Sequence, residues 1–198
     1  SVRPNKRGLH LFDMDEKTLT LRERGTLHGE ISVSEQRLVG KRLYVADDAV
    51  SKGDPGLKGH LLVLDAETME ELQFLPALMP KPTDICISKS GKYALVTHYG
   101  SKDKLRDEET GELLLDDAGM ALYRLNPDGT LGEIVDHYST DCGKEKRSNL
   151  RSVAESPMGD HFIVCDKGAD MLYYLRLREG IDEFLLHRTT ALPKGMQP

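Results

Sequence analysis

The sequence has no tryptophan and only three cysteines. It also has no apolar run near the roughly 20 residues that a helix needs to cross a bilayer. The cysteines, Cys86, Cys142 and Cys165, form no CxxC pair, so spacing offers no zinc or dithiol site. Cys86 and Cys165 lie inside apolar runs, where a reduced thiol packs as a small hydrophobe. A cytoplasmic chain without disulfides is the resulting expectation. Positive charge is in deficit: 27 Lys and Arg stand against 33 Asp and Glu, a net charge of -6. That balance argues against non-specific nucleic-acid binding, which depends on cations that neutralise phosphates. Nothing at the start reads as a signal peptide, and Ser1 in place of Met suggests a trimmed start. There is no nucleophile elbow, no HExxH and no glycine-rich phosphate loop. The acidic groups Asp13-Met-Asp15, Asp47-Asp48 and Asp116-Asp117 lack EF-hand spacing, so neither a metal nor a cofactor is expected.

Helical periodicity is missing as well, and strands take its place. Three short runs each follow a glycine: Gly40-Lys-Arg-Leu-Tyr-Val-Ala-Asp47, Gly91-Lys-Tyr-Ala-Leu-Val-Thr-His98 and Gly159-Asp-His-Phe-Ile-Val-Cys-Asp166. All three are rich in β-branched and aromatic residues, as strands are. A second strand follows each, at His60–Asp65, Met120–Leu125 and Met171–Arg176. A third, weaker one follows at Met69–Phe74, Leu131–Val135 and Ile181–Leu186. A further strand precedes each glycine run, at Glu30–Val33, Thr83–Ile87 and Asn149–Ala154. The unit is thus four strands, a-b-c-d, joined by tight turns such as Ser88-Lys-Ser-Gly91 and Asn126-Pro-Asp-Gly129. Four antiparallel strands in a repeat of roughly 40 to 50 residues make a β-propeller blade.

The repeat divides the chain into a half blade (residues 1–27, with Gly8–Asp13 as strand c and Thr18–Leu21 as strand d) and three blades (28–79, 80–136 and 137–192). Fourteen strands, three and a half blades, are half of a seven-bladed ring. A single all-β domain with open, apolar blade edges is expected, with the remaining blades supplied by a longer parent or a second chain. Strand direction alternates, so the b-to-c and d-to-a connections emerge on one face of the ring. The long ones, Asp47–Gly59, Tyr99–Gly119 and Asp136–Ser148, all belong to it. Long loops in a compact domain are usually functional, which places the site on that face, over the channel.

Longer phrases now carry a resemblance. The stretch from Pro82 to Ser101 resembles the repeat phrase of lactonase-type seven-bladed propellers, in which a proline and a polar residue open strand a. In that phrase Asn-Tyr-Gly-Ser closes strand b, and His98 here replaces the Asn. Leu122–Gly132, with Asn-Pro-Asp-Gly-Thr-Leu-Gly, is similar to the family's c-to-d hairpin, and Asp166-Lys-Gly-Ala-Asp170 to its Asp-x-Gly-x-Asp turn. The resemblance covers nearly the whole chain. It implies a 6-phosphogluconolactonase-like hydrolase, or a relative of the carboxymuconate cyclases, acting on a small anionic lactone without a metal. Such chemistry needs a polarised carbonyl, a base for water, and cations for phosphate or carboxylate. Where family members carry His-x-His-Ser-Val, this chain has Asn149-Leu-Arg-Ser-Val153, and Asp84 stands where a further histidine would be.

The candidate substrate-binding residues are Asn149, Arg151, Lys146 and Arg147. Arg151 follows a basic cluster that begins at Lys144, and a guanidinium grips phosphate or carboxylate as a fork. The candidate catalytic residues are Asp84 as a base and His98 as the nearest imidazole. Asp166 and Asp170 bracket a glycine in a tight turn and are expected to bond backbone rather than a metal. The alternative to an enzyme is a non-catalytic propeller that binds a ligand or protein partner on its loop-rich face. The missing histidines point that way.

Overall fold

A computed structural model describes residues 7–49, 59–100, 118–140, 148–159, 161–178 and 180–198. Fourteen strands run through them, with no helix among the described residues. They are β1 (Leu9–Asp15), β2 (Thr20–Leu27), β3 (Val33–Val39), β4 (Arg42–Asp47), β5 (His60–Asp65), β6 (Glu71–Pro76) and β7 (Pro82–Ile87). The rest are β8 (Tyr93–His98), β9 (Gly119–Leu125), β10 (Leu131–Ser139), β11 (Leu150–Glu155), β12 (His161–Asp166), β13 (Met171–Arg178) and β14 (Glu183–Ala191). The strands form one two-stranded sheet, β1-β2, and three four-stranded sheets, β3 to β6, β7 to β10 and β11 to β14, each in chain order. Every neighbouring pair is antiparallel. We call the three complete sheets blades one, two and three. Their first strands β3, β7 and β11 pack against one another in turn, which makes strand a the innermost of each blade.

The blades hold together because strands b and c bury both faces. In blade one Val45, Leu62 and Leu64 pack toward the half blade with Leu9 and Ile31. The intervening Tyr44, Ala46, Leu61 and Val63 pack the other way, against Ile85, Ala94, Val96, Ala121 and Tyr123 of blade two. Blade two in turn sends Leu95 and Met120 into the next seam, against Leu150, Val153, Phe162, Val164, Tyr173 and Leu175. The period-2 alternation of a strand thus feeds two seams, and Leu61-Leu62-Val63-Leu64 reads as an unbroken apolar run because each side has its own neighbour.

Several expected boundaries need correction. Strand a of blade one runs from Val33 to Val39, not from Glu30 to Val33; Ile31 precedes it, buried in the seam with the half blade. The segment Ser-Glu-Gln-Arg hides the strand because much of its length faces water. The outermost strands are also displaced or lengthened. The last strand of blade two continues to Ser139, through register shifts between Leu131 and Ile134 and between Ile134 and Asp136. The connection into blade three is therefore shorter than Asp136–Ser148. The last strand of blade three runs from Glu183 to Ala191, with a shift opposite Tyr174 and Leu175. Each shift reverses the inward and outward order of side chains, so alternation read from sequence loses its phase there.

Candidate active-site mouth

One β-bulge recurs at the same place in all three innermost strands. The register shifts between Val33 and Glu35, between Pro82 and Asp84, and between Leu150 and Ser152. The bulged residues are Ser34, Thr83 and Arg151. In the first two blades the bulge carries a hydroxyl that reaches the next blade. Ser34 Oγ donates to the Pro82 carbonyl at 2.6 Å, and Thr83 Oγ1 donates to the Leu150 carbonyl at 3.0 Å. In blade three the same place holds a guanidinium. Arg151 is exposed, and no carboxylate lies within ion-pair reach of it among the described residues.

The bulges sit at the mouth end of the ring, where strand a begins and strand b ends. Directly before strand a stand Ser32, Lys81 and Asn149; directly after strand b stand Asp48, Tyr99 and Lys167. Each pair is joined by a backbone hydrogen bond from the second residue to the first: Asp48 to Ser32 (2.9 Å), Tyr99 to Lys81 (2.9 Å) and Lys167 to Asn149 (3.1 Å). Asn149 also donates its Nδ2 to the Tyr99 carbonyl at 3.1 Å, which ties blade three to blade two. The mouth therefore changes sign around the arc. Blade one presents Asp48, and the seam of blades two and three presents Lys81, Arg151 and Lys167. Asn149 and Arg151 both stand at this end of blade three. Lys81 and Tyr99 were missed, although a lysine in the same repeat position as Asn149 was a signal that an aligned repeat carries. Lys144, Lys146 and Arg147 lie outside the described residues, as do Cys142 and the acidic stretch 103–117.

Asp84 lies near Arg151 in register, but its carboxylate is committed to packing. It is 4% exposed. Oδ1 accepts from Arg37 Nη2 at 3.0 Å and from the Ile85 N–H at 2.7 Å, while Oδ2 accepts from the Val153 N–H at 2.9 Å. Arg37 Nε also donates to the Ile85 carbonyl at 3.3 Å. Burial alone would lower the Arg37 pKa; the hydrogen bond and charge of Asp84 outweigh it and raise it. Asp84 thus clasps β3, β7 and β11 in a row. His98 is fully buried at the end of β8. Both side chains are buried as the chain stands, and the expected roles of base and imidazole would require them to be exposed to a ligand.

The position of His98 explains what it replaces. Asp47 and Asp166 end the other two b strands, and both hold backbone. Asp47 Oδ1 accepts from the Ser32 N–H at 2.8 Å and the Ala49 N–H at 2.9 Å, and its Oδ2 meets His60 Nδ1 at 3.1 Å. Asp166 Oδ1 accepts from Asn149, Gly168 and Ala169 N–H groups at 2.8, 3.0 and 3.0 Å. Asp170 accepts from the Gly195 and Gln197 N–H groups, both at 2.9 Å. These acids bond backbone, and no group of three or more potential metal ligands occurs among the described residues. Cys86 and Cys165 are free thiols, and burial pushes the Cys86 thiol pKa up. No helix among the described residues is long and apolar enough to cross a membrane.

Comparison with known proteins agrees with this architecture. No curated protein sequence matches the chain. Among solved structures it is similar to the periplasmic gluconolactonase PpgL of Pseudomonas aeruginosa, with a TM-score of 0.77 at 18% identity, over 98% of this chain and 54% of that one. It is also similar to a Bacteroides fragilis protein provisionally named a 6-phosphogluconolactonase, with a TM-score of 0.69 at 13% identity, over 100% of this chain and 54% of that one. A Bacteroides uniformis protein with the same provisional name gives a TM-score of 0.67 at 16% identity, over 94% and 51%. At these identities the likeness shows the fold, and the chain spans about half the length of the proteins it matches. The family model described as lactonase, 7-bladed beta-propeller, matches residues 2–198. The chain belongs to this lactonase family of seven-bladed β-propellers.

Proposed function

We propose that the mouth at the seam of blades two and three binds a small anionic sugar lactone, and that the completed propeller hydrolyses it. The observation behind this reading is the set of cations there. Arg151 and Lys167 have no carboxylate within ion-pair range among the described residues, in a chain whose net charge is -6. Elsewhere some cations find acids, as Arg37 does with Asp84, Lys41 with Glu67 and Arg42 with Asp65, while others such as Lys17 and Arg22 have none among the described residues. Cations at this mouth without ion-pair partners among the described residues suit a ligand that brings its own negative charge. The names of the solved relatives, a gluconolactonase and 6-phosphogluconolactonases, supply the substrate class.

In this reading Arg151 takes the carboxylate or phosphate in forked, charge-assisted bonds, and Asn149 offers an amide beside it. Asp84 is a positioning residue: its bond to the Val153 N–H fixes the strand on which Arg151 sits. The base that activates water then comes from the part of the ring that these three and a half blades do not contain. Hydrolysis of 6-phosphogluconolactone by the ring-complete protein, measured against the spontaneous rate, tests this. Turnover above that rate, lost in Arg151→Ala, is expected; a rate equal to the spontaneous one contradicts it. The burial of Asp84 and His98 favours the second reading, a non-catalytic propeller. It retains anion binding and shows no turnover.

A further inference from the structure

The mouth corners of the three blades are built alike twice and differently once. In blades one and three an aspartate ends strand b, and its Oδ1 accepts the N–H of the residue before strand a: Ser32 to Asp47, and Asn149 to Asp166, both at 2.8 Å. In blade two the corresponding residues are Lys81 and His98. No carboxylate stands at the end of that strand to hold the Lys81 N–H. Lys81 alone of the three adopts a left-handed φ of 57°. That region costs a residue with a side chain on the order of 1 kcal/mol or more, and such outliers cluster at ligand sites. The corner keeps the carbonyl bond that all three blades share, Tyr99 N–H to Lys81 O at 2.9 Å, and adds one from Gly100 N–H to Pro80 O at 3.1 Å.

The consequence is a paired arrangement found in this corner. Lys81 Nζ lies 5.9 Å from the centroid of the Tyr99 ring, and no carboxylate lies within ion-pair range of it among the described residues. Tyr99 is fixed on both sides, by its own N–H to Lys81 and by its carbonyl to Asn149 Nδ2 at 3.1 Å. Both side chains are half-buried, and Asn149 leads in two residues to Arg151. We propose that Lys81 and Tyr99 form a second anion subsite of this mouth, created by the replacement of the corner aspartate with His98. The ammonium binds the negatively charged substituent of a sugar acid, and the Tyr99 ring packs against the adjoining carbon face of the sugar. With Arg151 across the seam, the mouth then takes a sugar carrying charge at both ends, such as a phosphorylated aldonic acid. This rests on the reading that the mouth binds anionic sugar derivatives.

The test is titration of the chain with 6-phosphogluconate, with gluconate and glucose as singly charged and neutral comparisons. Lys81→Met keeps the stem and removes the charge; it is expected to weaken 6-phosphogluconate about tenfold or more, while Lys81→Arg stays within about threefold. His98→Asp restores the corner of the other blades. It is expected to weaken binding similarly while keeping the melting temperature, because the new carboxylate takes the Lys81 N–H. If Arg151→Ala weakens binding and Lys81→Met does not, the second subsite is wrong and the mouth reading stands. If the unaltered chain binds 6-phosphogluconate no better than glucose, the mouth reading itself fails. Loss of affinity in Lys81→Met that Lys81→Arg does not recover overturns the charge role of Lys81.

Discussion

Asp84 shows why a carboxylate at a channel mouth need not be chemistry. Its two oxygens receive two backbone N–H groups and one guanidinium from three different strands. Removing it leaves buried donors unsatisfied, at roughly 1–3 kcal/mol each, and strands Arg37. Asp84→Ala is therefore expected to lower unfolding stability by roughly 2–4 kcal/mol in denaturant titration, with Asp84→Asn losing less because its amide oxygen still accepts one N–H. Ligand affinity should fall as well, since the strand bearing Arg151 loosens. Unchanged stability in Asp84→Ala, with binding or turnover alone affected, would show Asp84 to be part of the chemistry after all.

At the scale of strands and turns, the glycine at the entry to β5 carries an obligation that its neighbours do not. Gly59 has φ 92°, and a Cβ there would stand 2.3 Å from the Asp47 carbonyl and 2.8 Å from Pro82 Cδ. Gly59→Ala should cost more than about 2 kcal/mol, whereas Gly25→Ala, with nothing within 4 Å, should stay within about 0.5 kcal/mol. Comparable melting temperatures for the two would mean that the mouth corner is looser than its geometry. Strands b and c were legible in the sequence because seam packing demands apolar residues on both faces, as in Leu61–Leu64 and Tyr93–Val96. Strand a of blade one was not, because Glu35 and Gln36 are partly or fully exposed and Arg37 pairs with Asp84 rather than filling a core. The outermost strands lost their phase at bulges. Of the mouth, Asn149 and Arg151 were visible as departures from a family phrase. Lys81 was missed although it shares a repeat position with Asn149; its left-handed turn is what no residue type announces. The burial of Asp84 and His98 was not visible either, because it depends on the neighbouring blades.

Among the described residues one blade face is uncovered. On β8 every residue is buried, but on β12 only Phe162, Val164 and Asp166 are, and Ile163 between them is 41% exposed. The same repeat strand thus meets a neighbour on both sides in blade two and on one side in blade three. At the other end, β1 and β2 correspond to strands c and d, with no a and b in their sheet among the described residues. We propose that the remaining strands of the seven-bladed ring come from a longer parent or a second chain. The chain alone should self-associate through its open face in sedimentation, and Ile163→Lys should reduce that; a compact lone monomer contradicts it.

The proposed anion-binding mouth is tested most directly at Arg151. Titration of 6-phosphogluconate into the unaltered protein, Arg151→Ala and Arg151→Lys decides it. Forked bonds to a charged group contribute roughly 1.5–3 kcal/mol each, so Arg151→Ala should weaken binding by at least about tenfold. Arg151→Lys should recover only part, because an ammonium keeps the charge and loses the fork. The melting temperature should stay unchanged in both, since the side chain is exposed at the mouth. Equal affinities in all three proteins would contradict the anion-binding mouth and leave a propeller whose loop-rich face serves another partner.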